Sequence, residues 1–255
     1  MLKIYRKIVL KITKSLLNTI FTKEKKIIFE NNSINNLQRF YFYKFYLNFI
    51  LFYKKGDFWK HWDFFKELQL INEFISKNKK ILICSIGKDF SNIFFLNSIG
   101  YRKLYCFDIR DIDKSLKKRA ANININFQIQ DLYNLKYKKK FDFISLTSVI
   151  EHLDKIDLLF DNLNKISKPG TRIFITTDFW PEAIDTKGLF PYGEDLPEMK
   201  VFNTKSINEL VDIAKNNNFI LEDDKINFEV KKKYVLWKRM GIRYTFISLT
   251  FIKNV

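Results

Sequence analysis

From Lys79 onward, short apolar runs alternate with segments of helical spacing. ILICSI (81–86), KLYCFDI (103–109), FQIQDL (127–132), FDFISLT (141–147) and RIFITTD (172–178) are each of strand length and rich in Ile, Phe or Leu. They carry no consistently polar face, which suits strands covered on both sides in a parallel sheet. Between them FSNIFFLNSIG, SLKKRAANI and VIEHLDKIDLLFDNLNKIS read as crossover helices. This alternation predicts an α/β domain built on a doubly wound sheet. After Thr204, SINELVDIAKNNNFILEDD reads as helix, Asn-rich turn and strand, and RYTFISLTFIK (243–253) as a last strand.

The first 75 residues have a different texture. Tyr5, Ile8, Ile12, Leu16 and Ile20 recur at helical spacing among Lys3, Arg6, Lys7, Lys11 and Lys14, a basic amphipathic helix. Its lysines interrupt the apolar stretch that a secretory signal needs, so export is not expected. Such a helix either lies on a membrane surface, giving peripheral contact through residues 1–21, or packs on its own domain. FYFYKFYLNFILFY (40–53) is the most apolar window, yet it is broken by Lys44 and Asn48 and is shorter than a bilayer span. The following GDFWKHWDFFKELQLINEFI reads as a helix with Trp59, His61 and Trp62 near its start. Residues 1–75 are therefore expected to form a helical extension, or lid, on a domain spanning 76–255.

Composition changes this picture little. With 45 Lys and Arg against 28 Asp and Glu the chain carries +17, which predicts attraction to anionic partners without choosing among them. The abundance of Lys, Asn, Ile, Phe and Tyr is also what A/T-rich coding produces. A 47% hydrophobic fraction excludes a wholly disordered chain. Cys84 and Cys106, both inside apolar runs, are too few for a disulfide scaffold or a cysteine zinc site, and a reducing cytoplasmic setting is the expectation.

In a doubly wound sheet, ligands bind beyond the carboxyl ends of the strands. Gly87 follows the first predicted strand, and Asp108 closes the second 21 residues later, near the spacing at which an acid meets ribose hydroxyls. Asp131 follows the third. Read together with FDFISLTSVIEHL (141–153) and LNKISKPGTRIFITTDFW (163–180), this series resembles the class I S-adenosylmethionine-dependent methyltransferases, whose fourth strand opens on "FD", continues into a "VIEHL"-like helix start and precedes a "KPG" turn. The resemblance covers residues 79–178 and extends to about 253. TTDFWPEAIDTKGLFPYG (176–193) is further similar to small-molecule methyltransferases of bacterial surface (capsular) polysaccharide clusters.

The resemblance implies a Rossmann-like sheet, mostly parallel with an antiparallel last strand, and S-adenosyl-L-methionine as cofactor. It implies that Asp108 accepts from the ribose hydroxyls, Ile109 packs on the adenine, Asp131 accepts from the adenine amine and the Leu132 backbone reads the ring edge. Ser85, Ile86, Gly87 and Lys88 would face the methionine portion, and Thr147 the transferring methyl. The family's first loop follows acid-x-Gly-x-Gly-x-Gly, where this chain has Ile83, Ser85, Gly87 and Asp89, so only the middle glycine is kept.

His152 is the leading candidate base, and Asp178, at the end of the fifth strand, is a second. Family members that bind a metal beside such an Glu-His pair use an upstream carboxylate, and Ser148 stands there instead, so no metal is expected. The segment 179–201 is too long for a simple connection, and Trp180 and Tyr192 from it, with His61 and Trp62, are candidate walls of an acceptor site. The reading is an O-methyltransferase acting on a small anionic or sugar acceptor of surface polysaccharide synthesis, cytoplasmic or at the inner membrane face. Nucleic acid is not expected as a partner. An RNA methyltransferase, drawn from Lys136–Lys140 and Lys231–Lys233, and a noncatalytic partner- or membrane-binding protein are the alternatives.

Overall fold

A computed structural model describes residues 61–255 except 88, 89, 224 and 231. The expected basic helix over 1–21, the aromatic window 40–53, Trp59, Lys88 and Asp89 lie outside the described residues.

The chain folds into α1 (His61–Phe74), β1 (Lys80–Ile83), α2 (Ser91–Ser98), β2 (Lys103–Asp108), α3 (Lys114–Ala121), β3 (Asn126–Ile129), β4 (Phe141–Thr147), a short 3-10 turn (Ile150–His152), α4 (Ile156–Ile166), β5 (Ser167–Phe179), α5 (Thr204–Asn216), β6 (Phe219–Leu221), β7 (Val235–Trp237) and β8 (Ile242–Lys253). Strand order is β3-β2-β1-β4-β5-β8-β6, with β7 hairpinned onto β8. Pairs from β3 through β5 are parallel, whereas β8 is antiparallel to both β5 and β6. This is the doubly wound, mostly parallel sheet that the strand pattern predicts, in the Rossmann-like form with an antiparallel last strand that the resemblance implies, and its order reverses between β1 and β4.

Both faces of the sheet are covered, which explains why its strands are apolar throughout. Ile81, Ile83, Leu104, Phe143, Phe174 and Phe246 face α1 and α2, while Leu82, Phe107, Ile144, Leu146, Ile175 and Leu249 face α4 and α5. Helix α1 belongs to this core. Its Trp62, Phe65, Leu68 and Ile71 are buried against the sheet, with Trp62 stacked on Phe246 at 6.1 Å between ring centroids. An Asn203–Ser206 capping box starts α5, satisfying two of the backbone N–H groups that a helix start leaves open.

Three boundaries depart from the sequence pattern. The first and third strands end at Ile83 and Ile129, short of the apolar runs 81–86 and 127–132; beyond the first, the left-handed Ser85 breaks the extended backbone although Cys84 and Ile86 still hydrogen-bond the neighbouring strands. The "KPG" stretch lies within β5 as a bulge, rather than as a turn before it. Ser167 pairs with Phe141 before the register shifts, and the Thr171 hydroxyl donates to the Phe141 carbonyl at 2.7 Å, a substitute near Pro169, which has no N–H to give. Strand β7 has too few residues to register as an apolar run.

Candidate functional site

Beyond Ile83 the backbone runs on between β2 and β4, where Cys84 N–H donates to the Ser145 carbonyl and Ile86 N–H to that of Phe107. Ser85 and Gly87 both take positive φ, 49° and 62°. Ser85 thus adopts, at some strain, the left-handed geometry that glycine enters freely. A turn of this shape aims Gly87 N–H at the Asp108 carboxylate, 2.8 Å away, and the other carboxylate oxygen accepts from Arg110 N–H at 3.0 Å. Asp108 is therefore oriented by two backbone donors from two different loops. Beside it Ile109 is 53% exposed, an apolar side chain held in the open at the strand end. A Cβ added to Gly87 would meet nothing within 4 Å, so the space over the turn is open to a ligand. Gly87→Ala should cost about 1 kcal/mol of stability through its left-handed backbone alone. Any larger loss, seen as weaker ligand binding in titration calorimetry than in the unfolding curve, reads a clash with the ligand.

The rest of the edge is built from loops tied to one another. The Asp131 carboxylate accepts from Tyr133 N–H at 2.9 Å, and the Tyr133 hydroxyl donates to Asp154 at 2.8 Å, joining the loops that follow β3 and β4. Leu132 is buried, its side chain in the core beneath. Thr147 ends β4 half-buried, and Ser148 after it has φ 52°, with its N–H donating to the Thr176 carbonyl and its hydroxyl to Asp63 of α1 at 2.6 Å. His152 closes the 3-10 turn, its ring edge-on to Tyr192 at 4.8 Å.

Segment 179–201 arches over this edge. Lys200 N–H donates to the Glu151 carbonyl, the Tyr192 carbonyl accepts from the Arg110 guanidinium at 3.4 Å, and Arg110 approaches Asp195 at 3.7 Å. Tyr192 is 54% exposed and stands between the ends of β2 and β4. Trp180 is pinned elsewhere, its indole N–H donating to Glu182 and Lys233 lying 4.7 Å over its ring.

The structure thus brings Ser85, Ile86, Gly87, Asp108, Ile109, Asp131, Thr147, His152 and Tyr192 to one edge of the sheet. It places His61, Trp62 and Asp178 in the interior instead. Asp178 hydrogen-bonds the Tyr244 hydroxyl, whose ionisation burial and this carboxylate push far up. Glu151, also buried, accepts from Thr177 at 3.1 Å. Sequence reading missed Asp63, Glu67, Arg110 and Tyr244, and weighed Ser148 only as a missing metal ligand. One signal was available: Asp63 and Glu67 stand four residues apart in an aromatic-rich helix, an unfavourable like-charge pair unless that face meets a polar target. Among the described residues, no cluster of His, Cys, Asp and Glu has the makings of a metal centre.

A model of the methyltransferase domain matches residues 69–249, and the chain belongs to that family. The mitochondrial ubiquinone biosynthesis O-methyltransferase of Dictyostelium discoideum is 37% identical over 68 residues, which cover 26% of this chain and 21% of that protein. Among solved structures, the Burkholderia thailandensis 1,6-didemethyltoxoflavin-N1-methyltransferase, with its substrate and S-adenosylhomocysteine bound, superposes with TM-score 0.53 at 14% identity, covering 88% of this chain and 94% of that one. The 4+2 cyclase SpnF gives 0.59 at 13% identity over 80% and 87%. A Clostridium acetobutylicum S-adenosylmethionine-dependent methyltransferase gives 0.53 at 13% identity over 87% and 100%. At these identities the structural likenesses concern the fold, which hosts more than one chemistry. The family's cofactor is S-adenosylmethionine, as expected from the sequence.

Proposed function

We propose that the chain transfers a methyl group from S-adenosylmethionine to an oxygen of a small acceptor held under segment 179–201. The observation that carries this reading is Asp108, fixed at the end of β2 by the N–H groups of Gly87 and Arg110 beside the exposed Ile109. That donor set fits a nucleoside, because a carboxylate oriented by backbone is a bidentate acceptor for two vicinal hydroxyls and an exposed apolar neighbour covers a base.

When bound, the cofactor supplies an electrophilic methyl on a sulfonium. Asp108 would hold the ribose and Ile109 the adenine face, with Asp131 accepting from the adenine amine and the Leu132 backbone at its edge. Ser85, Ile86, Gly87, Lys88 and Thr147 would line the methionine side. In-line transfer asks chiefly for alignment and for exclusion of water, which the arch over the edge provides. His152 would take the acceptor's proton on a ring nitrogen, its imidazole braced by Tyr192. Asp178 and Tyr244, hydrogen-bonded in the interior, and the buried His61 and Trp62 would act through packing of the core and not by touching the acceptor.

An oxygen acceptor is supported by the short stretch shared with the ubiquinone O-methyltransferase. A surface polysaccharide precursor, anionic or a sugar, is supported by the TTDFWPEAIDTKGLFPYG segment. Cytoplasmic work near the inner membrane face is part of this reading; among the described residues no helix is long and apolar enough to cross a membrane.

Titration calorimetry with S-adenosylmethionine tests the reading, and no heat at millimolar cofactor would sink it. Tyr192→Ala should raise the acceptor's KM about tenfold, the worth of one aromatic contact, while leaving cofactor affinity in place. Equal losses of both would move Tyr192 out of the acceptor wall.

A further inference from the structure

The site edge carries charges of both signs, whereas the opposite edge of the sheet is dominated by lysine. The parallel strands β1 and β2 each begin on a lysine, Lys80 and Lys103, and Lys140 directly precedes β4. Antiparallel β8 ends where these begin, so its last residue, Lys253, arrives at the same edge. Lys168 joins them from the start of β5. From β2 to β8 this row crosses four strand spacings, about 19 Å. Lys79, Lys138 and Lys139 thicken it. Facing them are Glu73, at the end of α1, and Asp142, whose carboxylate is shared by Lys168 at 2.6 Å and Lys79 at 3.5 Å. Burial, and to a lesser degree the nearby Lys140, hold the Lys253 ammonium below its ordinary value.

We propose that this basal edge docks the protein on an anionic lipid surface, leaving the site edge turned away from the bilayer. The row is nearly all lysine, a point charge suited to a diffuse negative surface rather than to the bidentate phosphate grip that arginine makes. Lysines on adjacent strands stand within a Debye length of the next, about 8–10 Å at physiological salt, so neighbours along the row act together. The aromatic rings here are already capped by their own lysines: Lys77 lies 3.5 Å from the Tyr101 ring centroid, Lys139 4.3 Å from Tyr105 and Lys253 5.1 Å from Phe219. Capped rings cannot stack bases, which disfavours single-stranded nucleic acid. Ile220, 47% exposed on the edge strand β6, is an apolar group for the lipid interface, while the Phe74 ring is covered by the Arg172 guanidinium at 4.0 Å.

Flotation of the full chain with phosphatidylcholine vesicles, with and without about 30% phosphatidylserine, tests the proposal. Binding is expected only to the anionic vesicles and should fall steeply as salt is raised. Lys103→Glu with Lys138→Glu should lower partitioning at least about tenfold with an unchanged melting temperature, and the Lys103→Gln, Lys138→Gln pair should fall between. Lys114→Glu with Lys205→Glu, the same charge change at the opposite edge, should leave binding near the unsubstituted level. The proposal is overturned if the basal pair binds like the original chain, which would give the work to residues 1–60, if both edges respond equally, if no anionic vesicle is bound, or if mixed-sequence RNA displaces the chain from vesicles.

Discussion

Asp108→Asn should weaken S-adenosylmethionine binding by about 2–3 kcal/mol, roughly 30- to 150-fold in Kd, with little change in folding stability. The carboxylate is the shared endpoint of the Gly87 and Arg110 N–H groups. An amide presents one oxygen to these two donors and turns an NH2 group toward the other, so one backbone donor loses its partner and the ribose faces a donor where it needs an acceptor. Calorimetric titration of the variant beside the original chain measures the loss. Stability is expected to hold, because the carboxylate stands at the open end of β2 and water replaces what is lost. Unchanged affinity would remove Asp108 from the cofactor site and with it the support for the proposed reaction.

Glu67→Gln should stabilise the fold at alkaline pH and do little in acid. Glu67 is buried between α1, α2 and β4, where Asn92 donates to its carboxylate and the Ser145 hydroxyl lies beside it. Burial, with Asp63 adding to it, raises its pKa from 4.5 to about 7 against the opposing pull of Ser145 and Asn92. For an acid raised by folding, the folded state binds the proton more tightly, so stability falls as pH rises from the unfolded to the folded value. Above pH 7 the penalty is complete, about 3 kcal/mol for that shift. Glutamine keeps an oxygen for Asn92 and offers Ser145 an N–H, without a charge to desolvate. Urea unfolding at about pH 8 should show the variant more stable by about 2–3 kcal/mol, shrinking to under about 1 kcal/mol near pH 5. A gain equal at both values would assign the effect to packing, and a loss at the higher value would refute the buried ionisation.

The strand pattern carried far because the sheet is buried on both faces. A run such as ILICSI has few other places to go in a folded chain of this length, and the order of strands and helices then limits the topology. Asp108 and Gly87 were legible for a related reason, since residues at strand ends are brought together whenever the sheet forms. His152 and Tyr192 were visible as chemistry but not as neighbours. Forty residues separate them, and only the path of segment 179–201 over the edge makes their rings meet. Ser85 shows that a missing glycine in the sequence need not mean a missing turn, because a serine here accepts the left-handed backbone at some cost.

His61, Trp62 and Asp178 mark the opposite case. Polar and aromatic side chains on a helix expected to lie over a site look alike whether they face a ligand or the sheet, and burial is a property of the whole fold. Local sequence determined the elements, their order and the chemistry available at each strand end, since these depend on periodicity and on residue type. The tertiary structure alone decided which of those groups share the open edge, that α1 presses Asp63 and Glu67 into the interior, and that the lysines of strands distant along the chain form one row. Contacts between remote segments arise from packing, and no spacing along the chain encodes them.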